Sequence, residues 1–517
     1  MSATDELSGF FQRYGPAYRW FVITTTLMGT ITVVLSSTIV NVALPDIMGA
    51  FGIGQDQAQW MSTGFLAAMT ASMLVNAWLN DAIGIRATFV GSMALFAAAS
   101  VLGGLAPNEN VLTFARVAQG VAAGIIQPLA MIMIFRVFPP EERGTAMGIY
   151  GIGVVLAPAV GPVLGGWLID NYDWRYVFYM GLPTSFLGML LGTVFLPTRL
   201  SGVKRRSFDA FGFVLLTAFL VTSLYALANG QREGWDSDVI VGTATLSVAF
   251  FLAFVAWLAR RAEPLVSLRV FSFGRYSAAS LVAFLYGAGL YGSTYLVPLF
   301  LQTVQGYTPT RSGLLLMPAG LILGLVFPIA GRLTDRLPAY WLVCAGLLLF
   351  GISNLLLYEI DVDVSFWDMA LMVLLGRVGL GVMMPALNAG ALSALPPELL
   401  AQGTGTINFM RQLGGAFGVS LLSAAVEIRF AFHSAALTAT QTEANGTTRY
   451  VIQMLEQIHA VAGVPPSHAY QAGGALNFLD KVLAAKAQSM AYSDGFALVG
   501  IVFLLSLLPG YLMKGRR

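Results

Sequence analysis

Three arginines stand where charge is expensive. Arg116 lies in FARVAQG, Arg377 in LGRVGLG and Arg411 in NFMRQLGG, each inside a long and otherwise apolar stretch. A guanidinium at the centre of a bilayer costs roughly 2.5–3.5 kcal/mol on the insertion scale, so such a side chain faces a bundle interior or a wet cavity. There it can answer the charge of a proton or a substrate, or it can pin helices together through carbonyl groups. Both roles are open to all three.

Uncharged hydrogen-bonding groups gather in similar places. LSSTIVNVALP (35–45) carries Ser36, Ser37, Thr38 and Asn41. At helical spacing Ser37 and Asn41 share a face, and Thr38 neighbours Asn41. Gln127 precedes Pro128, Asn388 follows Pro385, and Asn408 lies close before Arg411. Tyr286, Tyr291, Tyr295 and Gln302 occupy another apolar run. Ser37, Thr38, Asn41, Gln127, Tyr286, Tyr291, Asn388, Asn408 and Arg411 are the candidate substrate-binding set. Such a mixture suits a largely apolar pocket with a few polar contacts. Each residue also fits plain interhelical packing.

The elements that must position these residues follow from composition. The chain has 517 residues, 57% hydrophobic and 10% charged. Soluble domains carry about 25% charged residues. Apolar stretches long enough to cross a bilayer recur along the chain. The class is an all-α polytopic membrane protein, read as fourteen spans at about 18–44, 57–79, 86–106, 111–136, 143–168, 175–197, 209–229, 238–259, 275–304, 309–331, 339–360, 366–390, 400–427 and 490–513. The N-terminus has no signal-peptide pattern, so the first span is expected to be an uncleaved signal anchor. With the N-terminus inside, 18 of the 28 basic residues fall in inner segments, and both termini are expected to be cytoplasmic. Residues 428–489 form the one sizeable outer loop, with amphipathic stretches at 450–463 and 475–490 that are expected to be short surface helices. His433, His459 and His468 are expected there as solvated side chains.

The chain echoes itself at an offset of about 255–260 residues. FPPEERGTAMG (138–148) returns as LPPELLAQGTG (395–405), AWLNDAIGIR (77–86) as GRLTDR (331–336), and Arg116 as Arg377. Two six-span halves are implied, 1–200 and 263–517, with two inserted spans in 201–262. Repeated halves are a transporter signature, with the substrate site between them near the midplane.

Within the fifth span the stretch GIGVVLAPAVGPVLGGWL (151–168) is crowded with helix breakers. Ala157, Gly161 and Gly165 form a small-residue face that lets backbones come close. Pro158 and Pro162 remove hydrogen bonds and are expected to bend the helix. A hinge or a seal at the seam between halves is the expected role.

Other functions lack their chemistry. A single cysteine, Cys344, rules out a disulfide or cysteine metal site within the chain. No nucleophile–base set, metal cluster or phosphate loop is visible, so neither an enzyme, a cofactor nor direct ATP drive is expected. A net charge of +2 gives no footprint for nucleic acid.

These motifs resemble the major facilitator superfamily, specifically its fourteen-helix drug:proton antiporters of the EmrB/QacA type, from about residue 20 to 515. The resemblance implies a fold of two six-helix halves plus two inserted helices. It implies gating by the loop after the second span, where Asp81, Gly84 and Arg86 match the family pattern. Asp335 and Arg336 are the gating counterparts in the second half. Arg116, Gln119 and Gly120 match a motif tied to proton coupling. Gly148, Gly161, Pro162, Gly165 and Gly166 match the antiporter motif of exporters, with Ala157 at one glycine position. The chain departs from the family in its first span, where Ser36 stands in place of an aspartate. Serine cannot carry a proton. Glu359, Asp368, Glu427 and Asp494 lie near outer span ends, and Glu427 and Asp494 are the candidate carriers. The resemblance thus implies an inner-membrane exporter of amphipathic or lipophilic compounds, coupled to protons. A periplasmic adaptor and an outer-membrane channel are the implied partners. With no buried carboxylate, neutral or anionic substrates gain weight over cations. A dedicated exporter of a lipid, fatty acid or siderophore, or a membrane sensor or scaffold that has lost transport, are the alternatives.

Overall fold

A backbone in hydrocarbon must satisfy its own hydrogen bonds, which leaves helices or closed barrels. The computed structural model of the chain takes the first solution, and no strand occurs among the described residues. It describes all residues except 1–2, 54, 199–206, 262–263, 308, 443, 462–467 and 515–517. Of the candidates named above, the side chains of Thr38, Asn41, Ala157, Pro158, Pro162, His459 and His468 also lie outside the described set.

The first half holds α1 (Ala3–Tyr14), α2 (Tyr18–Phe51), α3 (Gln55–Ile83), α4 (Ile85–Gly104), α5 (Glu109–Val137), α6 (Arg143–Asn171), α7 (Tyr176–Tyr179) and α8 (Leu182–Phe195). Two helices follow, α9 (Ala210–Glu233) and α10 (Asp238–Arg260). The second half holds α11 (Gly274–Thr303), α12 (Pro309–Arg336), α13 (Ala339–Tyr358), α14 (Phe366–Leu392), α15 (Leu400–Ala439), α16 (Gly446–Val461), α17 (His468–Leu505) and α18 (Leu507–Leu512). Among the described residues, 13 helices are long and apolar enough to cross a membrane. The 29-residue α6 runs unbroken beside them.

The sequence echo becomes a repeat of packing. In the first half α2 packs on α6, α3 on α5, and α4 on both α5 and α8. In the second, α11 packs on α15, α12 on α14, and α13 on both α14 and α17. The halves meet along two seams, α6 with α12 and α3 with α15. The inserted pair α9 and α10 lies beside the second seam, with α9 touching both α3 and α15. Asp209 caps α9 and staples the pair. Its carboxylate accepts from Gly212 N at 3.0 Å, Trp257 Nε1 at 2.8 Å and Leu265 N at 3.0 Å.

Both chain ends share one face, called here the terminal face. A chain of contacts shows it: Arg19 with Glu142, Gly144 with Asp335, Ala339 with Gly390, Gly390 with Met513, and Met513 with Arg275. The N-terminal segment is not merely polar there. Leu7, Phe10, Phe11 and Tyr14 of α1 turn inward against the core, and Phe10 stacks on Tyr18 at 5.0 Å.

Two regions differ from the hydropathy reading. Residues 175–197 form α7 and α8, broken around Gly181 and Pro183. Residues 428–489 are largely helical, but two of their three pieces belong to long helices. α15 runs on to Ala439, and α17 begins at His468. Charge at Glu427 and Arg429 ends a hydropathy window, but it does not end a helix. No glycine or proline lies between Val419 and Ala439 to do so.

Candidate functional site

Arg116 sits about 10 Å down α5 from its first residue, at 1.5 Å per residue. Asn108 starts that helix by accepting from Val111 N at 3.0 Å. The guanidinium is 1% exposed. Its Nη1 donates to Gln119 Oε1 at 2.8 Å, to Ser36 Oγ at 3.2 Å and to Ser36 O at 3.3 Å. Gln119 in turn donates to Ser100 Oγ at 2.9 Å. The Phe65 ring centre lies 4.1 Å from the guanidinium carbon, a cation–π contact. Arg116 therefore ties α2, α3, α4 and α5 together. Close approach of α3 and α5 is enforced by glycine: a Cβ at Gly120 would lie 2.3 Å from Phe65 O.

The second half repeats the device with fewer bonds. Arg377 of α14 donates from Nη2 to Thr294 Oγ1 at 3.0 Å on α11. Arg411 of α15 donates from Nη2 to Asn408 Oδ1 at 2.6 Å. The Asn408 amide donates to Thr404 O at 2.9 Å and lies 2.9 Å from Met131 Sδ of α5, which joins the two halves. α11 and α15 touch backbone to backbone, since a Cβ at Gly287 would fall 1.8 Å from Arg411 O. That contact brings Tyr286 and Tyr291 beside Arg411 and Gln412. Tyr291 donates to Gln412 Oε1 at 3.2 Å. Buried Tyr286 lies within the electrostatic reach of both Arg411 and Arg377, and Tyr150 of α6 within that of Arg411.

The seam between α6 and α12 is latched at the terminal face. Asp335 Oδ1 accepts from Gly144 N at 2.7 Å, and Oδ2 accepts from Thr145 N at 2.9 Å and Thr145 Oγ1 at 2.6 Å. These are orphan donors at the positive end of α6, where a carboxylate is stabilised. The helices below are in backbone contact. A Cβ at Gly148 would lie 2.4 Å from Phe327 O, and one at Gly331 would lie 2.4 Å from Gly144 O.

Gly84 and Arg86, two of the other gating candidates, belong to the packing of the first half. Gly84 holds φ at 88° and so admits little but glycine at the start of α4. Arg86 is turned into its own half: Nε donates to Leu196 O at 2.6 Å and Nη2 to Glu6 Oε1 at 3.2 Å. Glu6 also accepts from Thr198 Oγ1 at 2.5 Å, so α1 clasps the end of α8. Asp81 lies in the last turn of α3, and Arg336 ends α12 exposed. Along α6, Gly165 is a close-contact position, with Ile39 Cγ1 2.5 Å from a built Cβ. Gly161 is buried. Gly166 faces open space, with nothing within 4 Å of a built Cβ.

The two candidate proton carriers differ. Glu427 is exposed. Asp494 of α17 accepts from Arg429 Nε and lies 2.7 Å from His433 Nε2, both on α15. His433 is thus a buried partner of Asp494, 8% exposed, and not a solvated loop residue. The extension of α15 past Glu427 places it there.

Of the remaining candidates, Ser37 bonds to Val34 O of its own turn at 2.7 Å, while Gln127 and Asn388 are buried. The structure brings Asn408, Arg411, Tyr286 and Tyr291 together and keeps Arg116 inside the first half. Sequence reasoning missed Ser36 as the partner of Arg116, and it missed Thr294, Gln412 and Tyr150. Thr294 lies 258 residues after Ser36 and Arg377 261 after Arg116, both close to the repeat offset. A residue-by-residue alignment of the halves would have found it.

Comparison with known proteins extends this description. The family model for the Major Facilitator Superfamily matches residues 26–419. The chain is 32% identical over 413 residues to the multidrug export protein EmrB of Haemophilus influenzae, covering 80% of this chain and 81% of that one. It is 29% identical over 416 residues to the multidrug transporter protein MdtP of Bacillus subtilis, covering 80% and 76%. Another Bacillus subtilis protein, the uncharacterized MFS-type transporter YhcA, is 31% identical over 408 residues, covering 79% and 76%. Among solved structures, the human organic anion transporter MFSD10 superposes with a TM-score of 0.60 at 16% identity, covering 96% of this chain and 99% of that one. That likeness shows the fold alone.

Proposed function

The chain belongs to the major facilitator superfamily and is a multi-pass membrane transporter, not an enzyme; from that premise we propose that it exports amphipathic or lipophilic organic compounds by alternating access. The observation that carries this reading is the latch of Asp335 on the α6 N-terminus. It joins the halves through a carboxylate and exchangeable backbone donors at one face, above glycine-lined contacts. Such a contact can release and reform as the halves rock. The names of the EmrB and MdtP relatives support drug-type substrates and the outward direction.

The other assignments follow. The terminal face is cytoplasmic, because the basic residues gather in segments on that side. The membrane is the inner one. Asp81, Gly84, Arg86, Asp335 and Arg336 form the gate region, and Gly148, Ala157, Gly161, Pro162 and Gly165 the hinge and seal, while Gly166 faces open space outside it. Ser37, Thr38, Asn41, Gln127 and Asn388 join Tyr286, Tyr291, Asn408 and Arg411 as substrate contacts. Proton entry is the counterflow. Arg116 stabilises the coupling core, and Ser36 carries no proton. Of the two candidates Asp494 is taken as the carrier, because it has cross-helix partners, Arg429 and His433, that can be exchanged during the cycle. Glu427 stands exposed on the same helix as His433. The far-face projection of α15, α16 and α17 is the surface open to a periplasmic adaptor, which would lead to an outer-membrane channel.

Proteoliposomes with a pH dye inside and an imposed proton gradient test this. Adding an amphipathic compound should move both substrate and protons, and Asp494→Asn should abolish the proton movement. Substrate flux without proton movement would remove antiport. No flux of any compound would remove the transport reading itself.

A further inference from the structure

Resting on the transporter reading, we propose that Arg377 and Arg411 form the head-group site for an amphipathic organic anion. The two residues reach one level of the membrane from opposite faces. Arg377 lies eleven positions from the far-face start of α14, and Arg411 eleven from the terminal-face start of α15. Each is therefore about 17 Å along its helix, near the middle of a hydrocarbon core about 30 Å thick. Tyr286, about 18 Å along α11, feels both charges and marks the same level.

The two guanidiniums are underused. Each has five N–H donors. The bonds described for them leave from Nη2 alone, one per residue. Arg116 contrasts with them, because its Nε is sealed from solvent without a partner. No nitrogen of Arg377 or Arg411 is sealed in that way. Their remaining donors face space that solvent can enter, although the residues are only 8% and 9% exposed.

Their charge is also unbalanced. Among the described residues no carboxylate stands within ion-pair distance of Arg116, Arg377 or Arg411. The sequence places no Asp or Glu in the middle of α5, α11, α14 or α15. Arginine cannot shed its proton to escape the cost. A bound anion supplies the missing counter-charge, and the planar fork fits a carboxylate, sulfonate or phosphate in two-pronged fashion. The rings of Tyr286 and Tyr291 and the soft sulfur of Met131 lie near Arg411 and suit an apolar body.

The test uses three dansyl probes with one apolar body and different charge, titrated onto the purified full-length protein in nanodiscs. They are the sulfonate, the neutral amide and an amide carrying a quaternary ammonium. The sulfonate should bind at least about tenfold more tightly than the amide, the loss expected for one charge-assisted hydrogen bond. Arg377→Gln and Arg411→Gln should each remove about that factor from sulfonate binding and lower amide binding less, so that the preference for the sulfonate falls, with lysine at either position restoring part of it. Octyl sulfonate should displace the probe from the wild type and octylammonium should not, which keeps the test sound where a variant fails to fold. Equal binding of sulfonate and amide, or displacement by octylammonium, overturns the anion site. Flux of the same probes in proteoliposomes separates the two readings. Arginine-independent flux of the amide alone overturns the site and leaves export standing. Tight, arginine-dependent sulfonate binding with no flux of any probe supports the site and overturns export.

Discussion

The Ser36 hydroxyl lies 3.2 Å from Nη1 of Arg116, and at the repeat-related place in the other half Thr294 Oγ1 lies 3.0 Å from Nη2 of Arg377. Two buried arginines are thus each answered by a neutral hydroxyl. A hydroxyl offers hydrogen bonding without charge balance, so both sites stay electropositive at every working pH.

Replacing Ser36 changes that balance in a measurable way. Ser36→Ala should cost about 1 kcal/mol, one hydrogen bond, seen as a modest fall in the unfolding midpoint in detergent. Ser36→Asp should place a titratable group against Arg116. Its substrate flux should become more steeply dependent on pH than that of the wild type. A flat profile in the variant would show that this position does not communicate with transport.

Asp335 should set the balance between closed and open forms at the terminal face. A cap of this kind is worth about 1–2 kcal/mol, so Asp335→Ala should shift the populations by roughly 5–30-fold toward the open form. Thiol labelling of Thr334→Cys, a position packed against Gly144 across the seam, read in a Cys344→Ser background with and without the Asp335 change, should rise accordingly. Unchanged labelling would mean that the latch contributes nothing to closure.

Glycines of α6 should differ sharply. Gly148→Ala drives a methyl into Phe327 O, where a Cβ has only 2.4 Å, and backbone cannot yield cheaply. The α6–α12 seam should part at the terminal face, with loss of flux while the protein stays folded. Gly166→Ala meets nothing within 4 Å and should change flux and stability little, within about 0.5 kcal/mol. Equal effects would show that the seam is not held by close approach.

The inserted pair depends on one buried carboxylate. Asp209→Ala strands the donors of Gly212, Trp257 and Leu265 and should cost about 2–4 kcal/mol. Limited proteolysis should then cut first near residues 207–211 or 264–266, ahead of the two halves. Protection equal to wild type would show that α9 and α10 dock without it.

The sequence by itself determined the class, the repeat and the cost of each buried charge. Hydropathy is a sum over neighbours, so apolar runs declare spans wherever they fold. Arg116, Arg377 and Arg411 were visible for the same reason, as charges in apolar windows. What a charge bonds to is not local. Arg116 and Ser36 are 80 residues apart, and Asp335 lies 191 residues from Gly144. Only tertiary packing could show that Ser36, and not Ser37, turns to Arg116. It also decided that Asp335 crosses the seam while Arg86 turns inward, and that His433 is buried against Asp494. Helix rotation and the depth of glycine contacts make those choices, and both depend on every helix in the bundle at once.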